Sequence, residues 1–474
     1  EVYRNELDAA LSQGDLDPAY VIFNLYRTRM VERIKFQIDL IHAGLDNLDF
    51  TINEQLLIDR SEAEWSADPA AHDDLWRRRL KAQVLGMKLN DKSLPEIAET
   101  LSKRYRNQMK VALRSRSEDA FQTYINAFAR TYDPHTVYFS PRNSENFKIN
   151  MSLSLEGIGA VLQSDGDATS VVRLVPAGPA DKSGEIEPAD EITAVGQGTD
   201  GPMIDVVGWR LDDVVDLIRG PKGSVVRLSV TADDDDGQTH LVSIVRNTIQ
   251  LEEQAARAKV MTLGEGEEQR KIGVIEIPTF YADFQGQQEG DPNYRSTTRD
   301  VRQLIDALNE ENIDAMIIDL RSNSGGSLQE ANTMTGLFIP SGPTVQVKAA
   351  RRRPVVFRQN QEQLAWSGPM AVVVNRLSAS ASEIFAGALQ DYGRALVIGG
   401  QTFGKGTVQN VVPLTRGQLK LTSAKFYRVS GDSTQHQGVL PDIEFPALVD
   451  KERIGESTYD DALPWDHINA ASFK

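Results

Sequence analysis

The sequence predicts an α+β chain of several domains: an N-terminal helical domain over residues 1–145, a β-rich module over 152–246, an α/β core with a mixed sheet and flanking helices over 247–446, and an extension over 447–474 that reads as the start of a further helical region. Three observations carry this. Apolar residues recur at three- and four-residue intervals through 20–41, 75–89 and 94–128, the period of an amphipathic helix. Short β-rich runs separated by glycine turns follow. Beyond them, 315–319 and 370–374 are near-continuous in apolar residues, as strands buried on both faces are, and they alternate with helical segments. At 474 residues and 40% apolar the chain can fill several cores, and length alone suggests about three domains.

In chain order, the helical domain packs against and cages the core, or alternatively docks an adaptor or another subunit. The β-rich module opens at Gly157-Ile158-Gly159-Ala160. A glycine-rich turn entering a strand exposes successive amides that can cradle a carboxylate, and the strand offers an edge to an incoming peptide; an ordinary turn in a small β domain is the plain alternative. Strands are predicted at 171–175, 192–195 and 225–230, a short helix with its glycine stop at 178–184, and a second helix at 211–217 closed by Gly220-Pro221-Lys222-Gly223. The core adds a strand at 273–277 and helices around 298–308, 328–338 and 382–391. Gly325-Gly326 and Ser380 then fall just past the C-terminal ends of strands, where open α/β sheets place their sites.

Two segments carry the chemistry, Leu377-Ser378-Ala379-Ser380-Ala381-Ser382-Glu383-Ile384 and Thr402-Phe403-Gly404-Lys405-Gly406-Thr407-Val408-Gln409. A serine hydroxyl needs a base, and a lysine serves as one when burial disfavours its charged form. Gly404 and Gly406 let the backbone turn tightly around Lys405, and Gln409 lies on the same side of the strand that follows, placed to orient the lysine. Two other readings compete. Ser380-x-x-Glu383 spells a capping box for the apolar helix behind it. The Gly399-x4-Gly404-Lys405 spacing approaches a phosphate-binding loop, but Gly406 stands where that loop requires Ser or Thr, and a strand follows instead of a helix.

With these segments the chain resembles the tail-specific, or C-terminal processing, serine proteases, most closely their periplasmic Gram-negative members. The resemblance covers roughly 125–470 and rests on motifs in order: Asp133-Pro134-His135-Thr136 with Phe139-Ser140-Pro141-Arg142, Ser152 to Ala160, Gly208 to Val215, Asp319 to Gly326, and the two segments above. It implies Ser380 as nucleophile, Lys405 as base, Gln409 as the residue orienting the lysine, and an oxyanion hole formed by the amide of Ala381 and one of Gly325 or Gly326. Ser324 and Ser327 stand where a longer glycine run is usual, which leaves the choice of glycine open. The resemblance makes 152–246 a PDZ domain that captures C-termini at Gly157, Ile158, Gly159 and Ala160, with Val214, Val215 and Ile218 in the groove. It implies an ATP-independent endopeptidase acting through an acyl-enzyme on unfolded or flexible envelope proteins with small or apolar C-termini, a periplasmic location, a lipoprotein adaptor as partner, and no cofactor or metal. The alternative class is a non-catalytic PDZ scaffold that holds C-terminal tails.

Composition narrows the remainder. A net charge of −17 argues against nucleic acid or an anionic membrane surface as partner, and there is no apolar run long enough to span a membrane. With no cysteine, disulfides and thiolate chemistry are excluded. The chain starts at Glu1, as a processed or truncated chain would. Asp233 to Asp236 read as a solvated hairpin tip rather than a calcium site, and Arg351-Arg352-Arg353 as a solvated loop. None of the six histidines is spaced as a metal-ligand pair, and a Ser-His-Asp triad through His436 is the weaker rival to the dyad.

Overall fold

A computed structural model describes residues 3–61, 63–232, 238–292, 294–361, 363–447 and 449–472; the Asp233 to Asp236 turn therefore lies outside the described residues. The helical periodicity near the N-terminus becomes helices at Asp17–His42, Pro69–Lys88, Leu94–Leu113 and Ser117–Arg130, after a short one at Leu7–Gln13. Ile34, Ile41, Leu80, Val84, Ile97 and Leu101 meet in their core. The long segment expected at 94–128 is two helices. The polar Arg114-Ser115-Arg116 stretch interrupts it, the Ser115 hydroxyl donates to Ala112 O, and the Asp119 carboxylate accepts from Arg116 N to begin the next helix.

The β-rich module is a sheet in which Ala160–Asp165, Ala168–Leu174, Glu191–Gln197, Val225–Thr231 and Thr239–Val245 lie side by side in chain order, all antiparallel. The first of them is an end strand, and the Leu211–Ile218 helix packs beside it. Ser154–Gly157 pairs with Asn247–Gln250, so the chain enters and leaves the module at one place. An ion-pair cluster ties the helix to its neighbours: Asp213, buried, is held by Arg142 at 2.7 Å and by Arg116, while Arg142 also reaches Asp216 at 2.6 Å. Arg142 belongs to the Pro141–Ser152 helix, whose Ser144, Phe147, Lys148 and Met151 line the cleft of the core. Asp213→Ala should cost about 1–3 kcal/mol by leaving two arginines without their buried partner. Hydrogen exchange in 211–218 is then expected to quicken; unchanged protection there would show that the cluster does not hold the helix.

Two sheets build the core. In the first, Arg257–Leu263, Arg270–Glu276, Ala315–Asp319, Met370–Val374, Leu396–Gly399 and Ile443–Glu444 follow one another in space as in sequence, parallel after the first antiparallel pair. The helices Thr297–Glu310, Leu328–Thr335 and Ala381–Asp391 are the crossovers, and Ile305, Ile318, Phe338, Val372, Phe385 and Val397 are among the buried residues between the layers. The second sheet is antiparallel: Val137–Phe139, Gln418–Tyr427, Ser341–Ala349 and Val355–Asn360, with Thr407–Pro413 on the other edge of Gln418–Tyr427. Of it, only the strand that follows Lys405 was expected from sequence. Its strands are half-exposed and rich in Lys, Gln and Thr, so they carry no apolar run.

Among the described residues of 447–474 the one helical turn is the 3₁₀ segment Glu456–Thr458, and the segment folds back on the core. Glu456 is fully buried there, pairing with His135 at 2.8 Å and accepting from Gln435 Nε2 at 2.8 Å. A buried carboxylate with these partners ties the segment to the core. Arg351, Arg352 and Arg353 are exposed at a turn, as expected.

Candidate active site

The serine and lysine segments reach one cleft from different sheets. Ser380 sits at the tight turn between the Met370–Val374 strand and the Ala381–Asp391 helix, and Lys405 immediately precedes the Thr407–Pro413 strand of the second sheet. Ser380, Lys405, Gln409, Gly325 and Gly326 all line a cavity of about 1300 Å³. Ser380 has φ +55° and ψ −111°, a backbone conformation that costs a non-glycine residue strain and is retained only where the surroundings enforce it. This is the geometry of a side chain held forward at a strand-to-helix turn.

Glu383 enforces it. Its buried carboxylate accepts from Ser380 N at 2.7 Å, Thr402 Oγ1 at 2.6 Å, Gly404 N at 2.7 Å and Lys405 N at 3.0 Å. Burial pushes its carboxyl up to about 7, against the pull of these four hydrogen bonds. One residue thereby fastens both segments together. Sequence reading noted Glu383 only as the partner in a capping box, and that box forms: the carboxylate accepts from Ser380 N at 2.7 Å, and the Ser380 side chain faces the backbone N–H of Glu383. Ser380 also lines the cleft.

Burial in the cleft wall, followed by repulsion from Lys420, pulls the Lys405 amine down to about 8. Glu456, Glu383 and Asp133 act in the opposite sense. Lys420 itself is lowered by burial. Among the described residues no hydrogen bond joins Ser380 Oγ, Lys405 Nζ and Gln409 to one another; catalytic contacts of this kind tighten when substrate enters. The Gln409 amide donates to Thr407 Oγ1 at 2.9 Å and to Thr422 Oγ1 at 3.1 Å.

The glycine pair separates into two environments. Gly325 lies against the serine turn, where an added Cβ would come within 2.9 Å of Ser380 Cβ and of Ala379 O. Its N–H is donated to Asn323 Oδ1 at 2.8 Å. Gly326 (φ +140°) presses on the Phe280 backbone, at 2.2 Å from an added Cβ, and among the described residues its N–H has no acceptor. Ala381 is the first residue of its helix, and its N–H is likewise uncommitted, as at any helix start. His436 does not compete for the serine: its ring bonds the Leu463 carbonyl at 2.9 Å. No cluster of metal-ligating side chains occurs among the described residues.

In the β-rich module, Gly157, Ile158 and Gly159 are buried and Ala160 starts the end strand. The Ile158 carbonyl accepts from Ala180 N and the Gly159 carbonyl from Val175 N, each at 2.8 Å, while among the described residues the N–H groups of Ile158 and Gly159 have no acceptor. Gly159 adopts φ +78°, which its lack of a Cβ permits. The helix differs from expectation: Val214 and Ile218 are buried in the module's core with Val195, Val226 and Leu228, and of the three expected groove residues Val215 alone keeps exposed surface, together with Leu211 one turn earlier. Residues four apart share a helix face, so 214 and 218 go inward together and 211 and 215 form the outer stripe.

Three family models divide the chain in agreement with this architecture: the tail specific protease N-terminal domain matches residues 1–142, the PDZ domain 146–231, and peptidase family S41 271–445. A tail-specific protease of Haemophilus influenzae is 41% identical over 480 residues, covering 99% of this chain and 66% of its own length, so the chain spans just under two thirds of that relative. A carboxy-terminal-processing protease of Bartonella bacilliformis is 31% identical over 67% of this chain and 68% of its own. The crystal structure of the PDZ domain of a carboxy-terminal protease from Vibrio cholerae in complex with peptide is 54% identical, with 21% of this chain and all of that one aligned at a TM-score of 0.20. On these similarities, and with a PDZ unit joined to an S41 core, the chain belongs to the tail-specific, C-terminal processing family of serine peptidases, S41.

Proposed function

We propose that the chain is an ATP-independent serine endopeptidase of the periplasm that takes hold of unfolded or flexible envelope proteins by their C-termini and cuts them with a Ser380–Lys405 dyad. The observation that carries the reading is that one cleft holds Ser380, at a strained strand-to-helix turn, and Lys405, with its amine pulled down to about 8 by burial. Neutral Lys405 takes the proton of Ser380 as Oγ attacks the peptide carbonyl. The oxyanion rests on the N–H groups of Ala381 and Gly326, the latter in preference to Gly325, whose N–H is already spent on Asn323. Protonated Lys405 passes its proton to the leaving amine, the C–N bond breaks, and water repeats the cycle on the acyl-enzyme with Lys405 again as base.

The open amides of Ile158 and Gly159 support capture of a C-terminal carboxylate, with the tail added as a strand along the Ala160–Asp165 edge and its side chains against Leu211 and Val215. Docking remote from the scissile bond then delivers the chain to Ser380. A lipoprotein adaptor is the partner this reading allows beyond substrates.

The test is cleavage of a poorly folded reporter ending in a small apolar tail, beside the same reporter ending in Asp-Asp. Rapid cutting of the first alone, abolished by Lys405→Ala, is expected. Tail binding without cutting by the unaltered chain would instead favour the non-catalytic scaffold. The lysine base also sets a pH dependence. Because the folded amine is lowered, its reactive neutral form is scarce below about pH 8 and predominant above it. The rate should therefore climb about tenfold per pH unit on the acid side and level off above about 8. A rate flat across that range would remove Lys405 as base.

A further inference from the structure

Asp133 opens one of the sequence motifs, yet no role in cutting has been assigned to it. It is buried, and everything around it donates: His135 N at 2.9 Å, Thr136 N at 2.9 Å and Thr422 Oγ1 at 2.7 Å to Oδ1, and Thr136 Oγ1 at 2.5 Å to Oδ2. Burial alone would raise its carboxyl, but these hydrogen bonds outweigh it and hold the group below its ordinary value. Asp133 is thus an acceptor only. Thr422 has a single hydroxyl proton, and it goes to Asp133. The same oxygen must then accept from whatever else approaches it, which is the Gln409 amide at 3.1 Å. That fixes the amide end: Nε2 faces Thr422, its second proton goes to Thr407 Oγ1, and Oε1 is the one polar atom of Gln409 left over. A register shift between Val408 and Gln409 sets Gln409 opposite Thr422, and Thr136 Oγ1, which accepts from Thr422 N at 3.1 Å, locks that strand to the Asp133 turn.

We propose that Asp133 and Thr422 are positioning residues for the dyad reaction: the carboxylate sets the direction of the Thr422 hydroxyl, and the hydroxyl sets which end of the Gln409 amide is presented to Lys405. The inference rests on the Ser380–Lys405 reading and deepens it. It assigns Gln409 an acceptor role, holding the lysine amine by its N–H protons and leaving the nitrogen lone pair for Ser380. Four charged groups bear on Lys405 from the elements around it: Lys420 from the neighbouring strand, Glu383 from the helix, Glu456 from the C-terminal segment with His135 against it, and Asp133. Asp133 therefore acts on the lysine both through Gln409 and through its charge.

The experiment is steady-state cleavage of the apolar-tailed reporter across the pH range, per folded molecule, for the unaltered chain and for Thr422→Val, Thr422→Ser, Asp133→Asn and Lys405→Ala. Thr422→Val keeps shape and removes the hydroxyl. It is expected to lower kcat about 10- to 100-fold with KM little changed. Thr422→Ser should restore kcat close to that of the unaltered chain. Asp133→Asn should lower kcat and also move the rising limb to lower pH, because a negative charge that favours the lysine ammonium is gone. Unaltered kcat in Thr422→Val, or failure of Thr422→Ser to restore it, overturns the proposal, and the Thr422 pair decides it even where Asp133→Asn fails to fold. Full activity in Lys405→Ala would overturn the dyad itself, an outcome distinct from the Thr422 results.

Discussion

Ser380→Ala should lower cleavage by about 10⁴- to 10⁶-fold, the loss seen when a serine nucleophile is removed from machinery that acts as a unit. The fold should survive. The Glu383 carboxylate caps the helix through the Ser380 backbone N–H at 2.7 Å, which alanine retains. Alanine also tolerates φ +55° no worse than serine does, so the strain at the turn is unchanged. The expected phenotype is a chain with unaltered thermal unfolding and unaltered tail affinity that no longer cuts. Calorimetry, tail-peptide titration and reporter cleavage together check it. Residual cutting within tenfold of the unaltered chain would mean another group is the nucleophile.

The second large effect is at Glu383. In Glu383→Ala the N–H groups of Ser380, Gly404 and Lys405 and the hydroxyl of Thr402 lose their shared acceptor in a site that water does not reach. Each stranded buried donor costs about 1–3 kcal/mol, and partial relaxation brings the sum to about 3–5 kcal/mol. The rate should fall at least 100-fold in molecules that remain folded, because the carboxylate is what sets the serine turn and the lysine turn at a fixed separation. Glu383→Gln, which retains one acceptor oxygen, should lie between. Thermal unfolding and cleavage measured on the same preparations test this. A Glu383→Ala chain of normal stability whose rate matches that of the unaltered one would show that the two turns hold their places without it.

The two proposals meet at Lys405. Glu383 accepts from its backbone N–H from the helix side, and the proposed Asp133–Thr422–Gln409 chain would act on its amine from the strand side. A base that has to be neutral to act is sensitive to every charge near it, so four carboxylate and ammonium neighbours on four different elements tune one group. Ser380 is sensitive in another way, through the backbone strain that only its surroundings maintain.

Much of this was legible in the sequence, for identifiable reasons. The chemistry-bearing residues Ser380, Lys405 and Gln409 stand in short segments whose spacing and glycines constrain what they can do, and the buried strands Ala315–Asp319 and Met370–Val374 are apolar on both faces and so visible as runs. The break at 114–116, the half-exposed second sheet and the docking of Glu456 on the core were not, because each is held by side-chain hydrogen bonds or by partners far along the chain. The inward turn of Val214 and Ile218 depended on which face of an amphipathic helix meets the sheet, and periodicity gives the stripe without its partner.

By itself, then, the sequence determined the order of the domains, the nucleophile and base candidates, and a glycine pair from which the family resemblance draws one candidate oxyanion donor. The tertiary structure alone decided that Glu383 binds both loops, that among the described residues Gly326 and not Gly325 keeps its N–H free, and that Thr422 hydrogen-bonds both Asp133 and Gln409. Those are questions of which donor finds which acceptor. Local residue pattern cannot answer them, because a hydrogen bond is set by distance and direction in space, and strands far apart in the chain must first pair in one sheet to bring Thr136, Gln409 and Thr422 within reach of one another.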